Sequence, residues 1–206
     1  MLLWKRGPFG FSALALCILA ANLALNLLPA IGIAIGQGLI PLAECSLLYA
    51  SLATDRGDRP RLRHLAAIAG ASPGALAAVV VAGATVFGAE ALVALEFGGI
   101  DMLAPATDAP VSASALIVTY AAGMLVSLPL TFVPFAALFD GLSFGEAFAQ
   151  SFAAFARNPA PLLVYGALSF GLLMLGLLTN GLGLLLALPW SAAASYAAWK
   201  DIFGVT

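Results

Sequence analysis

Long apolar runs separated by short polar gaps make up most of this chain. A bilayer core about 30 Å thick needs roughly 20 apolar residues per helix, and six runs come close to or exceed that length. The pattern predicts an all-α polytopic membrane protein with six transmembrane helices, arranged as three tandem hairpins in a single integral membrane domain over residues 1–206. The predicted spans are Phe9–Leu28, Ile31–Ala53, Ser72–Leu95, Ala113–Phe139, Pro161–Leu178 and Leu184–Trp199.

Proline and glycine punctuate these runs. Pro29 and the segment Thr179–Gly183 predict tight turns, and Pro129 and Pro134 interrupt the fourth run. Each predicted hairpin is preceded by a similar tripeptide ending in proline, which favours an internal repeat. Frequent proline in any membrane hairpin is the alternative explanation. The three tripeptides are Arg6-Gly7-Pro8, Ala71-Ser72-Pro73 and Arg157-Asn158-Pro159, and the second helices contain Pro41, Pro129 and Pro189.

Between the fourth and fifth runs, Ser143–Arg157 has the pattern of an amphipathic helix. At 100° per residue its four Phe side chains fall within an arc of about 80°, opposite Glu146 and Gln150. The segment is too polar to span, and a helix lying flat in the cytoplasmic membrane interface fits it best. The alternative is that the aromatic stripe packs against the bundle. The stripe consists of Phe144, Phe148, Phe152 and Phe155.

All eight Lys and Arg residues fall in alternate gaps, so a single topology accounts for every one of them. With six spans and cytoplasmic N- and C-termini, all eight lie on the cytoplasmic side, as the positive-inside bias requires. The loop Glu96–Ser112 then lies outside and carries Glu96, Asp101 and Asp108 but no basic residue. The basic residues are Lys5, Arg6, Arg56, Arg59, Arg61, Arg63, Arg157 and Lys200.

Composition supports this interpretation. Charged residues are 9% of the chain, hydrophobic residues are 63% and the mean hydropathy is +1.06, whereas soluble domains average about 25% charged residues. Lys5-Arg6 followed by an apolar run resembles a signal peptide, but the run is longer than a typical one and predicts a retained first span. The net charge of −2 and the absence of a basic patch beyond the topological signal predict no nucleic-acid partner.

Residues for familiar catalytic or metal chemistry are scarce. His64 is the single histidine, and Cys17 and Cys45 lie in apolar runs, where small buried side chains are expected. One histidine cannot form a metal site or a catalytic triad. We therefore predict no enzymatic activity, no cofactor and no metal. Gly32 and Gly36 match the small-xxx-small pattern of closely packed membrane helices.

Glu44 is the sharpest candidate site residue. It lies near the middle of the second predicted span. There a carboxylate raises the free energy by about 3 kcal/mol unless it is paired, hydrated or protonated. Asn22, Asn26 and Gln37 lie at similar depth and predict a polar seam between the first two spans. The seam would form either a functional polar site or interhelical hydrogen bonds. Glu90 is expected to reach towards the external interface, in a structural role.

The last third of the chain resembles a known family. The stretches that carry the resemblance are Pro134–Gly141, the Phe-rich helix ending in Arg157-Asn158-Pro159, and Ser195–Phe203. They are similar to a proteobacterial family of membrane proteins without assigned function, the BPSS type, and more distantly to YciC-like proteins. Trp199 and Lys200 replace the Tyr and Arg usual in that family's tail. The resemblance implies a six-helix protein of the bacterial inner membrane and no particular activity.

Three functions are compatible with these features. The first is a non-enzymatic scaffold or accessory subunit of a membrane complex, which meets membrane lipids and other membrane-protein subunits through lipid-facing small-residue surfaces and its interfacial helices. The second is a small-solute or ion carrier or channel that uses Glu44. The third is lipid-headgroup binding at the cytoplasmic leaflet. Its candidate contacts are Arg59, Arg61, Arg63 and Arg157.

Overall fold

The computed structural model describes residues 5–28, 31–104 and 112–205, and within these ranges every regular element is helical. The prediction of an all-α chain is thus confirmed for the part described. The turn residue Pro29 and the loop residue Asp108 lie outside the described residues. The helices are α1 (Pro8–Asn26), α2 (Ile31–Asp55), α3 (Pro73–Gly98), α4 (Ala113–Ser127), α5 (Val133–Leu138), α6 (Phe144–Arg157), α7 (Pro159–Leu178) and α8 (Leu184–Phe203), with 3-10 segments at Leu62–Gly70 and Leu128–Leu130.

Five stretches of the described residues are long and apolar enough to cross a membrane. They are α1, α2, α3, the α4–α5 stretch Ala113–Leu138, and α7. These helices support a multi-pass membrane protein. The sixth predicted span is helical, as α8. It is not among these five because its mean hydropathy is lower: it contains Pro189, two serines and the charged residues Lys200 and Asp201. Six spans therefore stay a prediction.

Local signals explain where helices begin and turn. Pro8, Pro73 and Pro159 each occupy the first position of a helix, where a missing N–H costs little because it would have no intrahelical partner. The turn between α7 and α8 passes through Asn180 and Gly181, whose φ angles are 52° and 86°. Asn and Gly are the residues that adopt this left-handed conformation most readily. The three tripeptides of the predicted repeat thus share a helix-starting role.

The fourth predicted span is broken at its prolines. α4 ends at Ser127, a short 3-10 segment contains Pro129, and α5 begins at Val133. Irregular backbone within a bilayer needs internal hydrogen-bond partners. Ser151 of α6 supplies them: its Oγ accepts a hydrogen bond from the Phe132 N–H at 3.1 Å and donates one to the Pro129 carbonyl at 2.7 Å. α6 therefore stabilises the break.

The buried face of α6 consists of small residues. Ala147, Ser151 and Ala154 are buried, and they lie about 90° around the helix from the centre of the aromatic stripe. Small side chains let α6 approach the broken span closely. The helix begins with the capping box of Ser143 and Glu146, in which the Glu146 carboxylate accepts hydrogen bonds from the Ser143 N–H at 3.0 Å and hydroxyl at 2.7 Å.

The aromatic stripe of α6 divides between two environments. Phe148 and Phe155 pack against the hydrophobic core. Phe144 and Phe152 are 41% and 50% exposed. The sequence pattern therefore predicted the helix but not the face that packs, and the location of α6 in the membrane interface stays a prediction.

The basic residues gather at one end of the bundle. A Cβ on Gly7 would lie 2.5 Å from the Pro60 side chain, so the start of α1 meets the loop after α2. Lys200 near the end of α8 pairs with Asp55 at the end of α2, with Nζ 2.7 Å from Oδ2. Because α7 and α8 form a tight hairpin, Arg157 before α7 lies at this end too.

We expect this end to face the cytoplasm, following the positive-inside bias. In a background lacking Cys17 and Cys45, Asp101→Cys should react with a membrane-impermeant maleimide in intact spheroplasts. Arg59→Cys should react only after the membrane is permeabilised. Labelling of Arg59→Cys in intact spheroplasts, with Asp101→Cys protected, would show the opposite orientation.

Candidate functional site

A partly open cavity of about 530 Å³ lies among the helices. Small-molecule pockets in proteins typically have volumes of about 300–1,000 Å³. Seven helices contribute to the lining, which is mostly apolar, so its polar groups stand out. These polar lining residues are Asn22, Gln37, Glu44, Glu90, Ser127, Thr131, Tyr165, Ser169, Ser191 and Ser195.

Glu44 lines this cavity from the middle of α2. It lies eleven residues before Asp55, the last residue of α2, so the helical rise puts it about 16 Å from that end. Its side chain is exposed rather than sealed in a helix contact. In the part of the chain that the structure describes, its carboxylate makes no hydrogen bond or ion pair. Glu44 is thus free to bind water or a ligand.

Glu90 lines the same cavity from α3. Its carboxyl group lies directly against Gly123 of α4, where a Cβ would overlap the Glu90 side chain. The structure thus places the Glu90 side chain in the cavity, and its reach to the external interface stays a prediction. α3 continues to Gly98, three residues past the predicted end of the span at Leu95, which places Glu90 about 4.5 Å deeper. Gly123 provides the space that the carboxyl group needs.

The predicted amides separate into two groups. Asn22 and Gln37 line the cavity, whereas Asn26 is exposed outside it. Asn26 Nδ2 donates a hydrogen bond to Asn22 Oδ1 at 3.2 Å. The predicted polar seam between α1 and α2 thus continues into the cavity through Asn22 and Gln37, and Asn26 supports Asn22 from the exterior.

Pro41 shapes the wall between the two carboxylates. It lies inside α2 and cannot donate the helical hydrogen bond to the Gln37 carbonyl. Its ring packs on Gly83 of α3, where a Cβ would lie 2.5 Å from Pro41 Cγ. This close contact brings α2 and α3 together, so that Glu44 and Glu90 line one cavity.

Sequence reasoning missed the opposite wall of the cavity. Tyr165 and Ser169 are one turn apart on α7, and Ser191 and Ser195 are one turn apart on α8. The Tyr165 hydroxyl donates a hydrogen bond to the Ser191 carbonyl at 3.4 Å. Hydroxyl residues spaced by four on two adjacent predicted helices are the signal that could have identified this wall.

The ionisable groups of the cavity are all acidic in the part of the chain that the structure describes. Among the described residues, its lining contains two carboxylates, Glu44 and Glu90, and no Lys, Arg or His. No group of three or more His, Cys, Asp or Glu residues that could hold a metal ion occurs in the described residues. A ligand of the cavity would therefore meet negative charge and hydroxyl groups.

The four arginines predicted to contact lipid headgroups come from two separate elements. Arg59, Arg61 and Arg63 belong to the segment around the start of the Leu62–Gly70 helix, whereas Arg157 ends α6. Arg63 pairs with Asp58, with Nη2 3.0 Å from Oδ2. Arg63 lines a second cavity together with Arg56, and Arg59, Arg61 and Arg157 are not among the described lining residues of that cavity.

Comparison with protein-family models, with curated proteins and with solved structures found no match. The resemblance of the last third of the chain to the BPSS-type family stays a prediction. The geometry of the site is therefore the basis for its proposed function.

Proposed function

We propose that this protein binds a small cationic solute in its intramembrane cavity and carries it across the membrane. The observation that supports this most strongly is that two glutamates from adjacent helices, Glu44 and Glu90, line one cavity whose described lining residues include no basic one. A carboxylate at this depth is costly unless it is paired, hydrated or protonated. A bound cation, or protons in its absence, would compensate both carboxylates.

The helices around the cavity favour a carrier. Pro41 interrupts the hydrogen bonding of α2, and the α4–α5 stretch is broken next to Thr131 and Pro134, which line the cavity. Secondary transporters typically place their substrate sites near the bilayer midplane beside such discontinuous helices. The breaks provide positions at which α2 and the α4–α5 stretch can bend as the cavity opens to one side or the other.

The small-xxx-small motif of Gly32 and Gly36 does not support the scaffold hypothesis. Gly32 and Gly36 are buried and face α1, where a Cβ on Gly32 would overlap the Leu25 carbonyl. The small-xxx-small pattern thus packs α1 and α2 together within the chain and is not a lipid-facing surface for another subunit. We retain the bacterial inner membrane and cytoplasmic termini as part of the proposal, because the basic residues share one end.

Binding of cations to the purified protein in nanodiscs tests the proposal. Thermal stabilisation should be measured with sodium, magnesium, tetraethylammonium and benzylammonium ions, and with a neutral sugar for comparison. At least one cation should bind, and Glu44→Gln and Glu90→Gln should each weaken its binding by about tenfold or more, as expected for loss of a charged partner.

Glu96→Gln is the matched control, because Glu96 is an exposed residue of α3 outside the cavity. It should leave cation affinity within about twofold of the original value. If neither Glu44→Gln nor Glu90→Gln weakens binding, or if no cation binds, the carrier proposal is wrong. Silent amide variants combined with a destabilising Glu44→Leu would assign Glu44 a structural role.

A further inference from the structure

A second cavity, of about 510 Å³, lies at the basic end of the bundle. The end of α2, the following loop and the start of the Leu62–Gly70 helix form its walls. The chemically significant lining residues are Tyr49, Arg56, Asp58, Arg63 and His64. None of them lines the cavity of Glu44 and Glu90, so this is a separate site.

The fixed charge of the second cavity is positive. It contains two guanidinium groups, Arg56 and Arg63, against one carboxylate, Asp58, giving a net charge of +1. Asp58 is occupied by its ion pair with Arg63. The Arg56 guanidinium makes no ion pair or hydrogen bond in the part of the chain that the structure describes. Arg56 therefore has all its donors available.

His64 adds a neutral donor with a defined tautomer. It is 8% exposed, and its Nδ1 accepts a hydrogen bond from the Arg61 N–H at 3.1 Å. The proton of the neutral ring is therefore on Nε2, which can donate. Burial lowers the pKa of His64 and the nearby Arg63 lowers it further, so the neutral form is favoured at pH 7.

We propose that this second cavity is a binding site for a phosphate group, with Arg56, Arg63 and the Nε2–H of His64 as its donors. Guanidinium groups bind phosphate oxygens with paired, charge-assisted hydrogen bonds, and a neutral N–H donor adds to them. The site lies at the end of α2, where the apolar helix gives way to the charged loop that follows it. An anionic phospholipid headgroup and a soluble phosphate ester share the chemistry that it recognises.

Native mass spectrometry of the purified protein distinguishes these two sources. Retention of phosphatidic acid is compared with retention of phosphatidylcholine, and thermal stabilisation is measured with inorganic phosphate and glycerol 3-phosphate. Arg56→Gln and Arg63→Gln should each reduce binding by about fivefold, the effect of one basic residue on an anionic partner. Arg56→Gln is informative even if Arg63→Gln misfolds, because Arg56 is exposed and unpaired.

Arg59→Gln and Arg61→Gln are the matched controls, since they remove the same charge from the same segment but do not line the cavity. They should change binding by less than about twofold. Retention of phosphatidic acid that depends on Arg56 and Arg63 identifies a lipid site. The same dependence for phosphate or glycerol 3-phosphate alone identifies a soluble ligand. Equal losses in all four variants, or no phosphate binding, would overturn the proposal.

Discussion

Replacing Phe135 by alanine is expected to lower the free energy of unfolding by about 3–5 kcal/mol, the usual cost of truncating a buried aromatic ring. Phe135 is 1% exposed. Its ring stacks on Trp199, with centroids 5.5 Å apart and an interplanar angle of 18°. Removing the ring would leave a void at the centre of an aromatic cluster. Its other aromatic neighbours are Phe132, Phe139 and Tyr196.

Unfolding in mixed micelles, followed by circular dichroism as denaturing detergent is added, measures this effect. Phe97→Ala is the matched control, because Phe97 lies on α3 and is 74% exposed. Its loss should change stability by about 0.5 kcal/mol or less. Equal effects of Phe97→Ala and Phe135→Ala would mean that the aromatic cluster does not stabilise the bundle.

Ser151→Ala is expected to lower the free energy of unfolding strongly, although it removes only one oxygen atom. Ser151 is fully buried, and its hydroxyl satisfies both the Phe132 N–H and the Pro129 carbonyl at the break in the α4–α5 stretch. Without it, two backbone groups are left unpaired in an apolar environment. Each unsatisfied group costs about 1–3 kcal/mol, so we expect a loss of several kcal/mol.

A second buried serine provides the comparison. Ser46 on α2 is 1% exposed, and its hydroxyl has no hydrogen-bond partner among the described residues. Ser46→Ala should therefore be nearly neutral or slightly stabilising, since it removes an unsatisfied polar group. The same unfolding assay applies to both variants. Comparable stability of the two would contradict the role assigned to Ser151.

The helices were predictable because their signals are local. The first predicted span, Phe9–Leu28, corresponds to α1 at Pro8–Asn26, and the predicted turn at Thr179–Gly183 joins α7 to α8. Apolar length, helix-starting prolines and a left-handed turn at Asn180 and Gly181 depend only on neighbouring residues. They can be identified in a single sequence.

The packing face of α6 was not predictable in the same way. The sequence pattern is dominated by the large Phe side chains, whereas the structure buries Ala147, Ser151 and Ala154. The need for that small face comes from the backbone groups of Pro129 and Phe132, which have no helical partner at the break in the α4–α5 stretch. A periodicity within one helix contains no information about a hydrogen-bond deficit elsewhere in the fold.

The candidate site was predictable only in part for a related reason. Glu44 stood out because a charge in an apolar run is conspicuous. The position of Glu90 in the cavity could not be predicted, because it depends on its contact with Gly123 on another helix. The serines of α7 and α8 resemble ordinary small residues until the two helices are placed face to face. The packing of α7 against α8 makes these serines part of one cavity, and their residue type alone does not reveal it.

The pairing of Asp55 has a consequence for how the protein is made. Asp55 Oδ2 accepts hydrogen bonds from the Tyr196 hydroxyl at 3.0 Å and Lys200 Nζ at 2.7 Å, 141 and 145 positions later in the chain. At a synthesis rate of roughly 5–20 residues per second, those partners emerge about 7–30 s after Asp55. A ribosome that stalls before residue 196 therefore leaves Asp55 without both of these hydrogen-bond partners, and this contact between the first and last helices forms only after α8 has been made.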